Sequence, residues 1–319
     1  MSKLYSFDGH EIDIKTLPAI SESRQEIYRL YGDSVQDPPN QIREMVGIYI
    51  ARNLRYFGKV PEPMTFKEDF CGTHALSNEW AKRSSKHFAL GVDSDVEPVH
   101  YGMLQKTDES VGRVVLNLAD VREYRTSEKF DIICGLNYSH KYMFAWSDLV
   151  EYFRRAYEQL EKGGVFIIDT LGGDETTYPC KEKTKNKGYT YIWELESYNA
   201  ATDEVVYRIH FRKKGGEKIK NAFTYRWKNW TPSMLIDAMK QAGFTDVELY
   251  WERGNVDDLS EGEMEVEPYQ GYCEQELTSW NAYIVGSKHI GMTRHEPNLD
   301  SDEFLTLWDK YNGKLENSK

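Results

Sequence analysis

The chain has few cysteines, no long apolar run and no excess of positive charge, and each shortage removes a class of function. Cys71, Cys134, Cys180 and Cys273 are the four cysteines in 319 residues, and no two of them form a C-x-x-C pair. Scattered thiols of this kind are expected to be buried and reduced rather than bridged or bound to zinc, so no metal site is expected. That usage points to a reducing, cytoplasmic setting, as does a first stretch, "MSKLYSFDGHEID", without the apolar core of a signal peptide. No segment has the roughly 18 uninterrupted apolar residues of a membrane span, so no membrane partner is expected. Lys and Arg number 40 against 52 Asp and Glu, a formal net charge of −12. Nucleic-acid binding needs clustered cations to neutralise phosphates, so such a partner is disfavoured. The dinucleotide fingerprint G-x-G-x-x-G is missing too: from Phe70 to Leu76 the only glycine is Gly72.

What is present is enough apolar material, 40%, for a sizeable core, in a length that suits one large domain or two small ones. Residues 41–57 carry apolar side chains at Ile42, Met45, Val46, Tyr49, Ile50, Leu54 and Phe57, the spacing of a helix. A shorter helix precedes it and is expected to stop by Pro38-Pro39. From about residue 65 to 171, strands and helices alternate. "VFIIDT" is apolar without interruption, as a strand covered on both faces requires. After Gly172-Gly173 the period changes to two in "YTYIWELESY", "EVVYRIHFRKK" and "IKNAFTYRWKNW", which read as an antiparallel meander. "TPSMLIDAMKQAGF" then resumes the helical pattern, with Thr231 as N-cap, Pro232 in the first turn and Gly243 past the end. "DVELYWE" and "WNAYIVGSK" close the sheet. Between Arg253 and Lys288 there is no Lys or Arg, which reads as a long acidic loop, and the C-terminal end suggests a short amphipathic helix.

The most specific signal is "TFKEDFCGTHALSNEW" followed by "HFALGVDSD". A strand ends in acids, turns at Cys71-Gly72-Thr73, enters a helix, and a second strand ends in Val92-Asp93. That order suits an adenosine. The turn lets the backbone come close, the helix start offers unpaired N–H groups, and the acid takes the ribose hydroxyls. Asp93 follows Glu68 by 25 residues (93 − 68), near the roughly 20 expected.

The turn resembles the first motif of class I S-adenosylmethionine-dependent methyltransferases, an acid, two residues, then C-G-T-G. Glu68 takes the acid place, Cys71-Gly72-Thr73 match, and Phe70 and His74 stand where glycines are usual. The resemblance covers residues 65–287 and implies a doubly wound, Rossmann-like α/β sheet of seven strands. Residues 1–60 would be a helical cap, 61–290 the methyltransferase domain with an inserted sheet at about 174–230, and 291–319 a tail. It further implies S-adenosylmethionine as cofactor and a small-molecule acceptor reacting through N or O. Glu68 would meet the methionine amino group, directly or through water, and Phe70, Cys71, Gly72, Thr73 and His74 would form the cofactor turn. Asp93 would hold the ribose, with Ser94 and Asp95 beside the adenine. Asp120 would accept from the adenine amino group, Val121 would flank the ring, and Asn137 and Tyr138 would lie near the sulfonium.

The residues also have blander roles open to them. Asp93 and Asp120 could be caps, and His74 could cap its helix. The donor sulfonium is already activated, so the protein mainly aligns the acceptor and excludes water. An amine then needs only to lose a proton, whereas a hydroxyl needs a base. "NYSHKYMF" places Tyr138, His140 and Tyr142 past the fourth strand, with His140 the candidate base. His210 on the meander is a weaker one. The 22 tyrosines and 8 tryptophans could line a cage for a cationic amine or serve as core, and Glu194, Arg208 and Arg226 could face substrate or solvent. The alternatives are a catalytically inactive binding protein that keeps the fold, and an RNA or protein methyltransferase.

Overall fold

The computed structural model describes residues 2–57, 60–105, 112–252, 266–268, 279–289 and 302–312. A short strand, β1 (Lys3–Ser6), comes first and pairs in parallel with a strand of the main sheet. The N-terminal addition is therefore not purely helical. Helix α1 (Glu22–Val35) starts at Ser21, whose hydroxyl accepts from the Arg24 N–H. It stops at Val35, before Pro38 and Pro39, as expected. They open α2 (Pro38–Phe57), in whose first turn a missing N–H costs nothing.

The α/β alternation follows as β2 (Thr65–Asp69), α3 (Ala75–Arg83), β3 (Phe88–Asp93), α4 (Val96–Leu104), β4 (Val114–Leu118), β5 (Phe130–Gly135), α5 (Trp146–Gln159) and β6 (Leu160–Gly172). A second sheet then intervenes, built from β7 (Cys180–Asn186), β8 (Tyr189–Asn199), β9 (Glu204–Lys213) and β10 (Lys218–Lys228). The chain returns through α6 (Pro232–Ala242), β11 (Asp246–Glu252), β12 (Val266–Pro268) and β13 (Trp280–Ser287), and α7 (Asp302–Asn312) is the last element described. Thr231 caps α6 through its hydroxyl, and Gly243 ends it at φ 117°, a conformation that suits glycine.

Among the described residues the main sheet has nine strands in the order β1-β4-β3-β2-β5-β6-β13-β11-β12. The seven expected strands form its middle, and β1 and β12 extend its two edges. Strands β1 to β6 run parallel, while β13 is antiparallel to both β6 and β11. Alternate side chains enter two cores. Phe66, Ala89, Leu116, Ile132 and Ile167 meet α2 and α3 on one face; Leu90, Ile133, Phe166 and Ile168 meet α5 and α6 on the other. Both faces being covered explains the uninterrupted apolar runs. No helix among the described residues is long and apolar enough to cross a membrane.

The inserted sheet has the order β10-β9-β8-β7, four antiparallel strands where three were expected. The extra strand, β7, reads CKEKTKN and is mostly exposed at the sheet edge, so it carries no apolar alternation. Leu30 of α1 packs on Tyr189, Ile209, Phe211 and Ala222 of this sheet, while Tyr28 stacks on Tyr101 of α4 at 5.0 Å. Helix α1 thus ties the insertion to the main domain. Most of the acidic stretch expected as a long loop lies outside the described residues, as does Cys273. Cys71 and Cys134 are buried free thiols, and Cys180 is a partly exposed one.

Candidate active site

On one side of β2 lie β3 and β4, on the other β5 and β6, so the connections leaving the carboxyl ends of β2 and β5 diverge. A crevice opens at that point in sheets of this kind. The turn after β2 lines it. Phe70 at φ 55° and His74 at φ 47° bracket the turn, and Asn137 and Tyr138, both at φ 57°, form the facing turn after β5. Left-handed backbone at bulky residues costs on the order of 1–3 kcal/mol each and is held only where the surroundings impose it. Here hydrogen bonds impose it. The Cys71 N–H donates to the Val92 carbonyl at 3.1 Å, and the Gly72 N–H donates to the Asp93 carboxylate at 2.7 Å. Across the crevice the Asn137 and Tyr138 N–H groups each donate to the Asp169 carboxylate at 2.8 Å. Gly72 leaves the cradle open: a Cβ built there meets no atom within 4 Å.

Two cavities adjoin at this crevice. The first, about 430 Å³, is lined by Phe70, Cys71, Gly72, Thr73, Asp93, Ser94, Asp95, Asp120, Val121, Asn137 and Tyr142, with Tyr28 and Tyr31 from α1. Burial pushes the Asp93 carboxyl up, against the pull of N–H donors from Asp95 and Gly72. Asp120 is clasped by Arg122, which holds its pKa down, and Arg122 also reaches Asp148 at 3.0 Å. Over the cavity Arg24 links three elements. Its guanidinium pairs with Glu97 of α4 at 2.6 Å and donates to the Ala222 carbonyl of β10 at 3.1 Å.

Three expected side chains do not reach either cavity. The Glu68 carboxylate turns instead to the start of α3, where it accepts from the Ser77 N–H and hydroxyl at 2.8 and 2.6 Å, and burial raises it to about 7. An orphan N–H of the helix start and the Ser77 hydroxyl together outcompete the crevice for it. His74 sits at the N-cap position of α3 but makes no capping bond. Its ring is buried against α4, where a Cβ on Gly102 would come within 2.4 Å of it, and burial lowers its pKa to about 4. His140 is fully buried, with both ring nitrogens unpartnered among the described residues and burial keeping it neutral. A base must reach the proton it takes, and His140 lines neither cavity.

The second cavity, about 410 Å³, lies between the Asn137–Tyr138 turn, Asp169 and the inserted sheet. It shares Tyr31, Asn137, Tyr225 and Trp227 with the first. Strand alternation decides what the insertion presents. Trp193, Tyr207, Tyr225 and Trp227 line the cavity, and Trp193 stacks on Tyr207, and Tyr225 on Trp227, each at 4.5 Å. Glu194, Arg208, Arg226 and His210 are not in its lining. His210 bonds Glu194 at 2.7 Å, and Arg208 pairs with Glu196 at 2.7 Å. Tyr138 and Tyr142 meet the Trp227 ring edge-on at 6.1 and 6.0 Å, from the two sides where the cavities join.

The sequence reasoning missed Asp169, Trp193, Tyr207, Tyr225 and Trp227 as lining residues. Asp169 carried a usable signal, an acid ending the apolar run of its strand, although β6 itself continues to Gly172. The rings of the insertion carried only their period of two, which does not say what their face covers.

No family model matches the chain, and no curated protein matches it in sequence. Solved structures do match. A S-adenosylmethionine-dependent methyltransferase from Clostridium acetobutylicum is 16% identical, with 83% of this chain and 100% of that one covered at a TM-score of 0.55. CalS10, an amino pentose methyltransferase from Micromonospora echinaspora involved in calicheamicin biosynthesis and solved with S-adenosylmethionine bound, is 12% identical over 85% and 99% at 0.56. KedS8, a sugar N-methyltransferase from Streptoalloteichus, is 16% identical over 86% and 95% at 0.52. The chain has the fold of class I S-adenosylmethionine-dependent methyltransferases.

Proposed function

We propose that the chain binds S-adenosylmethionine in the first cavity and transfers its methyl group to a small molecule held in the second. The observation that carries this is the shared wall: Tyr31, Asn137, Tyr225 and Trp227 line both cavities, so a donor on one side and an acceptor on the other meet there. The first cavity suits the donor on its own terms. Its volume of about 430 Å³ is that of a small-molecule site, roughly 300–1,000 Å³, and Gly72 leaves an open cradle on the backbone. Asp93 has lone pairs left for the ribose hydroxyls, Ser94 and Asp95 lie beside the adenine, and Asp120 and Val121 take the adenine amino group and ring. Asn137 stands at the junction, beside the sulfonium.

When bound, the sulfonium supplies an activated methyl group. The chain contributes alignment and dryness. Phe70 to Thr73 seat the donor, Trp227 and Tyr142 wall off water at the junction, and the second cavity sets the acceptor in line. Neighbours described as acting on an amino pentose and a sugar support a compact acceptor with an N or O nucleophile. Calorimetry with S-adenosylhomocysteine and NAD tests the donor assignment. Binding of S-adenosylhomocysteine and not NAD is expected, and the reverse would overturn it.

A further inference from the structure

The lining of the second cavity is one-sided in charge. It contains the carboxylates Asp37, Asp169, Glu175 and Glu182, and no Lys, Arg or His among the described residues. Asp169 is partly buried at the inner end, while Asp37, Glu175 and Glu182 are exposed at the mouth. Lys141 acts electrostatically on Asp169 from outside the lining, its ammonium donating to Asn229 Oδ1 at 3.1 Å. The remaining wall is aromatic, with Tyr31, Tyr191, Trp193, Tyr207, Tyr225 and Trp227 around the space. Carboxylates in a lining that no described cationic side chain enters, together with ring faces, attract one kind of guest, an organic cation. A second observation points the same way. Tyr207 lines the cavity and stacks on Trp193 at 4.5 Å, its phenol oxygen enclosed within the packing of the sheet, so the ring and not the hydroxyl is what a guest meets.

We propose that this cavity is a cation site and that the methyl acceptor is an amine that enters it protonated, held between the rings of the inserted sheet and the carboxylates. This rests on the methyl-transfer function proposed above. A hydroxyl acceptor would need a strong base, and the lining has no histidine among the described residues. An ammonium needs only a proton acceptor, and Asp169 lies next to the junction, bonded to the backbone of Asn137 and Tyr138. Its carboxyl is pushed up to about 7 by burial, which suits it to take a proton from an amine and release it again. The amine gives one proton to Asp169, and its lone pair forms the N–C bond to the donor methyl. The S–C bonding pair stays on sulfur, leaving neutral S-adenosylhomocysteine and a methylammonium product. The proton on Asp169 passes to water as product leaves.

The test is binding of choline and of its neutral isostere 3,3-dimethylbutan-1-ol to the full chain saturated with S-adenosylhomocysteine, read by tryptophan fluorescence through Trp193 and Trp227. Choline is expected to bind at least tenfold more tightly, about 1.4 kcal/mol. Asp169→Asn and Glu182→Gln should each weaken choline severalfold and leave the alcohol unchanged. Glu182 is exposed, so its substitution should not disturb folding even where Asp169→Asn does. Equal affinity for the two probes, or binding of neither, overturns the cation site. Calorimetry on the same samples separates the two ideas. Where S-adenosylhomocysteine binds and choline is not preferred, only the amine assignment falls. Absence of S-adenosylhomocysteine binding overturns the methyl-transfer function.

Discussion

The two cavities are built by different means. The first is made of backbone and short acids placed by consecutive turns at the ends of β2, β3, β4 and β5. Its geometry is set by hydrogen bonds such as Gly72 N–H to Asp93 and by left-handed residues such as Phe70. The second is made of large rings delivered by one face of an inserted sheet, with Asp169 from β6 and Tyr31 from α1. A backbone cradle serves a ligand that does not vary. A wall of side chains on a separate sheet can be rebuilt for a new ligand without touching the first cavity. Trp227, Tyr225, Tyr31 and Asn137 are where the two constructions meet.

Removing a shared residue breaks this division most severely. Trp227 is 2% exposed and packs on Tyr138, Tyr142, Tyr207 and Tyr225. Trp227→Ala should cost about 3–5 kcal/mol of stability and weaken binding in both cavities. Urea denaturation with S-adenosylhomocysteine calorimetry checks this, and an unchanged midpoint would refute the packing role. A second probe belongs to the support beneath the donor cavity. The Glu68 carboxyl holds its proton up to about 7 when folded and to about 4.5 when unfolded. Between those values the folded state binds more protons, so this group costs stability as pH rises from about 4.5 to 7. Glu68→Gln should remove a fall on the order of 3 kcal/mol across that window. Parallel stability curves for the two proteins from pH 4.5 to 8 would contradict it.

A smaller effect is expected at the ribose. Asp93→Ala should weaken S-adenosylhomocysteine by roughly 1.5–3 kcal/mol, the range for a charged hydrogen bond, and leave choline binding unchanged. Calorimetry that finds the affinity intact would remove Asp93 from the donor site. The smallest effect sharpens the boundary of the cradle. His74 packs against Gly102 rather than facing the cavity. His74→Gly should change S-adenosylhomocysteine affinity by less than about 0.5 kcal/mol while lowering the melting temperature through lost packing. A tenfold loss of affinity would place His74 in the donor site after all.

The lining of the first cavity was largely legible because its signals are local. Cys71, Gly72, Thr73, Asp93, Asp120 and Asn137 all stand at strand ends, and strand ends follow from short-range pattern. Glu68, His74 and His140 show the limit. Each has the residue type and chain position for a site role, but a side chain's direction depends on competing partners. Ser77 takes Glu68, a gap beside Gly102 takes the His74 ring, and the core encloses His140. β7 escaped notice because an exposed edge strand needs no apolar alternation.

By itself, the sequence determined the α/β alternation, the inserted antiparallel sheet, the caps of α6 and the acids that close β3 and precede the turn after β4. These follow from periodicity and turn chemistry acting within about twenty residues. Only the tertiary structure decided that the aromatic face of the insertion closes over the carboxyl edge of the main sheet. It alone brought Asp169 to the Asn137–Tyr138 turn, and left four carboxylates and, among the described residues, no cationic side chain in the lining of the second cavity. The physical reason is that burial and charge balance are sums over neighbours. Tyr31, Asp169, Tyr207 and Trp227 become neighbours only once α1, β6, β9 and β10 have packed.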